Sequence, residues 1–137
     1  MPKSSTLLII WTVWAAVFVL SVCLAPARDL GQWDAVDPAQ RQWFNELKQP
    51  DYPFLSCCGE ADAYWDDSYE VEGNQYVAII TDARDDIKLR RAHIEAGTRL
   101  SVPNSKIKWD SGNPTGHGII FIGYLSQVLC YLPPGGG

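Results

Sequence analysis

The chain has 137 residues, with 11 Lys and Arg against 16 Asp and Glu and a formal net charge of −5. That acidity argues against nucleic acid and anionic lipid as partners, and the length allows one small domain after any leader. The charge is uneven: residues 28–86 carry four basic against 14 acidic side chains, and residues 87–137 carry six against two.

Lys3 precedes an 18-residue apolar run from Leu7 to Leu24, broken only by Thr12 and Ser21. Ala25-Pro26-Ala27 follows, the small-residue pattern of a signal-peptidase site before Arg28. The run is longer than a usual signal core and shorter than a usual membrane span. Residues 1–27 are therefore read as a signal peptide or an N-terminal membrane anchor, with the cleavage pattern favouring the former. Val22 just before Cys23 argues against a lipoprotein signal. Either way the segment predicts a periplasmic or secreted domain over residues 28–137, with membrane contact only through residues 7–24 if the leader is retained.

Asp37 can cap a helix that starts at Pro38, and Trp43, Phe44 and Leu47 then form an apolar stripe stopped by Pro50. Residues 54–67 read as an irregular aromatic and acidic stretch around Cys57-Cys58-Gly59. The period then becomes two. Strands over Ser68–Glu72 and Gln75–Thr81 flank a Gly73-Asn74 hairpin turn. Residues 82–97 read as a charged loop, in which Lys88, Arg90 and Arg91 look solvated. Further strands are expected at Thr98–Val102, Lys106–Trp109, Gly118–Ile122 and Gln127–Leu132, with a turn at Asn113-Pro114-Thr115-Gly116. The predicted fold is α+β, mainly β, with one N-terminal helix packed on a small antiparallel sheet or partly closed barrel of five or six strands.

In an oxidising compartment, Cys130 is expected to bridge to Cys58 or, alternatively, Cys57. The loop closed is roughly 70 residues, worth about 4 kcal/mol in the chain-entropy model. The third thiol is expected to be buried. Cys57, Cys58 and His117 are the candidate thiol or metal site, with His93 also in the sequence, although no C-x-x-C or H-x-x-x-H spacing supports a metal. Glu60, Asp62, Asp66 and Asp67 lack the alternation of a calcium loop and read as a solvated acidic stretch. Gly116-His117-Gly118 would set His117 beside a closely approached backbone. Tyr52, Phe54, Tyr64 and Trp65, beside acidic residues, are the candidate contact patch, with core packing as the rival reading.

Three stretches stand out together: Ser56-Cys57-Cys58-Gly59-Glu60-Ala61-Asp62, Asn113-Pro114-Thr115-Gly116-His117-Gly118, and Cys130-Tyr131-Leu132-Pro133-Pro134-Gly135-Gly136. In these the chain resembles a group of small exported alphaproteobacterial proteins of unknown function. The resemblance implies an envelope setting and a bond between the Cys-Cys segment and Cys130, and it supplies no activity. The expected function is a non-enzymatic structural or protein-binding module acting on a protein or envelope component, without a cofactor. The alternative is a thiol-redox or metal-handling protein built on the Cys-Cys segment.

Overall fold

Ile119-Ile120-Phe121-Ile122 and Val128–Leu132 are apolar almost without interruption, which is the pattern of strands covered on both faces. The computed structural model, which describes residues 36–135, shows what covers them. Strand β1 (Ala63–Trp65) pairs with β5 (Ile119–Ile122), and β5 with β6 (Val128–Leu132), in one three-stranded antiparallel sheet. A second antiparallel sheet has the order β2 (Ser68–Glu72), β3 (Gln75–Ile79), β4 (Arg99–Val102). The fold is α+β and mainly β, and the two sheets do not close into a barrel.

Successive residues of a strand point to opposite faces. Ala63, Ile119, Phe121, Cys130 and Leu132 accordingly pack with Phe44 and Leu47 from the helix side. Tyr64, Ile120 and Tyr131 pack the other way, against Ala78, Ile80 and Val102 of the β2-β3-β4 side. The β1-β5-β6 sheet is thus the middle of three layers.

Helix α1 (Pro38–Glu46) begins as expected, with the Asp37 carboxylate accepting from Ala39 N at 2.8 Å and Gln40 N at 3.2 Å. It stops earlier than Pro50 requires, because Leu47 turns extended and Lys48 bridges to Ser56. The expected hairpin is present in the expected register, with Glu72 opposite Gln75. Three parts differ from expectation. Ala63–Trp65 is a strand because β5 supplies a partner some 55 residues away, a contact its own sequence does not announce. Lys106–Trp109 is not a strand: Asn104–Lys106 form a 3₁₀ turn, and only Ile107 bridges to Tyr131. The charged loop contains a short helix α2 (Asp86–Leu89) capped by Asp85.

The disulfide joins Cys57 to Cys130, so Cys58, the first-choice partner, is corrected in favour of the alternative. Cys57 donates its N–H to Leu47 O at 3.0 Å and is fully buried among the residues beneath α1. Cys58 then takes a φ of 79° and is half-buried, packed against the same cluster. It is not the expected buried free thiol either, since Cys58 is disulfide-bonded too. A buried Cys57–Cys130 bond suits an oxidising compartment. Among the described residues no helix is long and apolar enough to cross a membrane. The leader or anchor assigned to residues 1–27 lies outside the described residues.

Candidate functional site

Trp65, the last residue of β1, is the hub of the most polar part of the surface. The Arg84 guanidinium lies 3.6 Å over its ring, and the His117 imidazole stacks on it with centroids 4.7 Å apart. His117 Nδ1 is 2.9 Å and 3.0 Å from the two carboxylate oxygens of Asp67. The loop that delivers His117 is wired locally. Asn113 Oδ1 accepts from Thr115 N and Oγ1, Thr115 Oγ1 accepts from His117 N, and Asn113 Nδ2 donates to His117 O. The expected close approach follows at Gly118, whose O accepts from Asp66 N at 2.8 Å. A Cβ at Gly118 would stand 2.0 Å from Asp66 O.

Behind Trp65 lies a buried ion network. Asp82 accepts from Trp65 N, from the backbone and side chain of Arg84, and pairs with Arg91 at 3.0 Å. Burial alone would raise the Asp82 pKa, but these hydrogen bonds outweigh it and hold the carboxyl well below its ordinary range. Arg91 also pairs with Asp86, and both arginines donate to Ala63 O. Its side chain is only 2% exposed, so the solvated reading of this residue is corrected. The acidic stretch divides in the same way. Asp67 is exposed, Glu60 is nearly buried beside Arg84, and Asp66 is fully buried.

Asp66 sits at the crossover from one sheet to the other. Its Oδ1 accepts from Ser68 N and Ile79 N, each at 3.2 Å. The Tyr131 hydroxyl bears on its carboxylate, yet neither Asp66 Oδ2 nor Tyr131 Oη closes a hydrogen bond of good geometry. Burial raises the Asp66 pKa despite the opposing pull of Tyr131, Ile79 N and Ser68 N. Burial likewise pushes the Tyr131 hydroxyl up, with Asp66 adding to it.

The expected thiol or metal site is not assembled. Cys57 and Cys58 are both oxidised, and His117 is engaged with Asp67 and Trp65. Among the described residues, no three His, Cys, Asp or Glu side chains are grouped to hold a metal ion. His93 bonds Asp86 at 2.7 Å, far along the chain from the cysteines. A histidine oriented by a carboxylate is half of a general-base arrangement. The only side-chain bond of the His117 ring among the described residues is the one to Asp67.

The expected contact patch splits. Tyr52 and Phe54 are exposed and meet edge to face, 6.0 Å apart. Tyr64 is 3% exposed, lies in the inter-sheet core and donates its hydroxyl to Ala92 O. Trp65 is half-covered by Arg84 and His117. A second apolar surface lies on β2 and β3. Tyr69 and Val71 on β2 are 38% and 54% exposed, and Tyr69 stacks on Tyr76 of β3 at 5.2 Å. Tyr76 in turn meets Trp109, itself 58% exposed, at 6.2 Å. The sequence signal for this surface is the alternation Tyr69-Glu70-Val71-Glu72. All five β2 residues are exposed.

No family model, curated protein or solved structure matches this chain.

Proposed function

We propose that this is an exported, disulfide-stapled, non-enzymatic module of the bacterial envelope that binds another protein. The observation that carries the reading is the surface formed by the exposed Tyr69, Val71 and Trp109 with the half-buried Tyr76, whose ring meets those of Tyr69 and Trp109. Aromatic side chains in such a group offer large apolar area with little conformational entropy to lose, and they are enriched where proteins meet. The rest of the molecule is held stiff by the Cys57–Cys130 bond and the Asp82 network, so the surface is preorganised. The leader pattern, the disulfide and the resemblance to exported alphaproteobacterial proteins support the envelope setting.

The test places a photo-crosslinking phenylalanine analogue at Val71 in the full chain, exported by its own leader, with Ile87 on α2, which is more exposed than Val71, as the control. A discrete protein adduct from Val71 and none from Ile87 is expected. Equal labelling at the two positions, or none at Val71, overturns the reading.

A further inference from the structure

Among the described residues, strand β2 is the end strand of its sheet, paired only with β3, and every one of its five residues is exposed. Its outer side therefore carries a row of backbone N–H and C=O groups facing solvent. The two faces of the strand differ in chemistry. Tyr69 and Val71 lie on the face shared with Tyr76 and Ala78. Glu70 and Glu72 lie on the other, where Arg99 of β4 reaches both carboxylates. β4, the opposite edge, is four residues long and stopped by Pro103, so it is the poorer template.

Resting on the protein-binding reading above, we propose that β2 receives an extended segment of the partner as a further antiparallel strand, in which basic and apolar residues alternate. Opposed residues in adjacent strands share a face. Apolar side chains of the added strand would pack beside Tyr69 and Val71 and continue the row that ends at Trp109. Its basic side chains would face Glu70 and Glu72, which are half or more exposed and engage a single arginine between them. A second copy of this chain is a poor occupant. Pairing β2 with itself sets Glu70 and Glu72 against the same residues of the other copy, in molecules that each carry net negative charge. Main-chain hydrogen bonds supply the docking and the alternate side chains the selectivity, as in other strand-addition complexes.

The experiment uses the protein exported by its own leader, labelled with ¹⁵N, titrated with a nonapeptide of alternating Val and Lys. Three peptides accompany it: a block rearrangement of the same residues, a version with Glu in place of Lys, and a version N-methylated at alternate amides. Binding by the alternating peptide is expected, with slowed amide exchange confined to residues 68–72 and their neighbours. N-methylation should abolish it. Glu70→Gln with Glu72→Gln should weaken it about tenfold, and the Glu peptide should not bind. Binding that survives N-methylation, or that leaves the β2 amides unprotected, overturns strand addition. So does concentration-dependent dimerisation through β2. If crosslinking from Val71 persists while the alternating peptide does not bind, the strand proposal fails and the protein-binding reading stands. If crosslinking is absent, that reading itself has failed.

Discussion

Asp82→Asn changes one atom and almost no volume, yet it should be among the most damaging substitutions in the domain. The Asp82 side chain is 1% exposed, and its Oδ2 receives Trp65 N at 2.9 Å, Arg84 Nη2 at 2.7 Å and Arg91 Nη1 at 3.0 Å. Its Oδ1 receives the backbone N and Nε of Arg84. Whichever way the new amide turns, its NH₂ group confronts donors. Removing one member of a buried pair costs about 3–5 kcal/mol, because the other charge stays buried without its counterpart. Arg91 keeps Asp86 and Ala63 O, which argues for the lower end, about 3 kcal/mol. For a domain of this size, that corresponds to a fall in Tm of about 12–24 °C.

The pH dependence makes the test sharper. The folded pKa of Asp82 lies below its unfolded value of about 3.9, so its contribution is complete above that value and disappears as pH falls below it. Urea unfolding of both proteins at several pH values, at low and constant salt, measures this. The difference between wild type and Asp82→Asn should be widest at neutral pH and narrow below about pH 4. A difference under about 1 kcal/mol at pH 7, or one that stays constant to pH 3, would refute the assignment.

Asp66→Asn should do the reverse. Burial raises the Asp66 pKa, so ionisation costs stability as pH rises through the unfolded value of about 3.9. The amide removes that cost, keeps an acceptor for Ser68 N and Ile79 N, and offers a donor to Tyr131. Equal or higher stability at pH 7 is expected from urea melts, and a loss above about 2 kcal/mol contradicts it. Gly118→Ala forces a methyl group onto Asp66 O and Pro134, both backbone-fixed. Circular dichroism should report a loss of at least about 3 kcal/mol or no folded protein, whereas a Tm within a few degrees of wild type refutes the close approach. The pair Cys57→Ala with Cys130→Ala opens a bridge between residues 73 apart in sequence. A loss of about 4 kcal/mol in chemical unfolding is expected, and one under about 1.5 kcal/mol would mean that the bridge constrains the unfolded chain little.

What the sequence made legible was local. Asp37-Pro38 announced α1, Gly73-Asn74 fixed the hairpin register, and Gly116-His117-Gly118 announced a backbone approach that Gly118 indeed makes. What it hid depended on partners far along the chain. Ala63-Tyr64-Trp65 is too short to show a period, and only β5 makes it a strand. Tyr64 and Trp65 are adjacent, so one must face the inter-sheet core when the other faces away, and a contact patch containing both was not geometrically available. Arg91 lies in a run of basic residues and resembles its solvated neighbours. Its burial follows from Asp82, Asp86 and Ala63 O all accepting from its guanidinium, which composition does not encode. The choice between Cys57 and Cys58 depended on which of two adjacent residues lies in the core beside Cys130, and that residue is Cys57.

These elements share a logic that bears on function. The ties concentrate at the ends of the inner sheet. Cys57–Cys130 clamps the loop after α1 to β6, the two arginines clamp β1 to the segment after β3, and the Asp66–Gly118 contact clamps the crossover to β5. None of them lies on the outer side of β2. Natural domains blunt such an edge with charged side chains, a proline or a bulge. Here β2 has no proline, pairs without a bulge, and carries tyrosine and valine toward solvent on one face and two glutamates on the other. The glutamates limit self-association while leaving the edge open to a basic strand. An open edge with this charge pattern, in a domain tied down elsewhere, is what the proposed addition of a basic, extended strand requires.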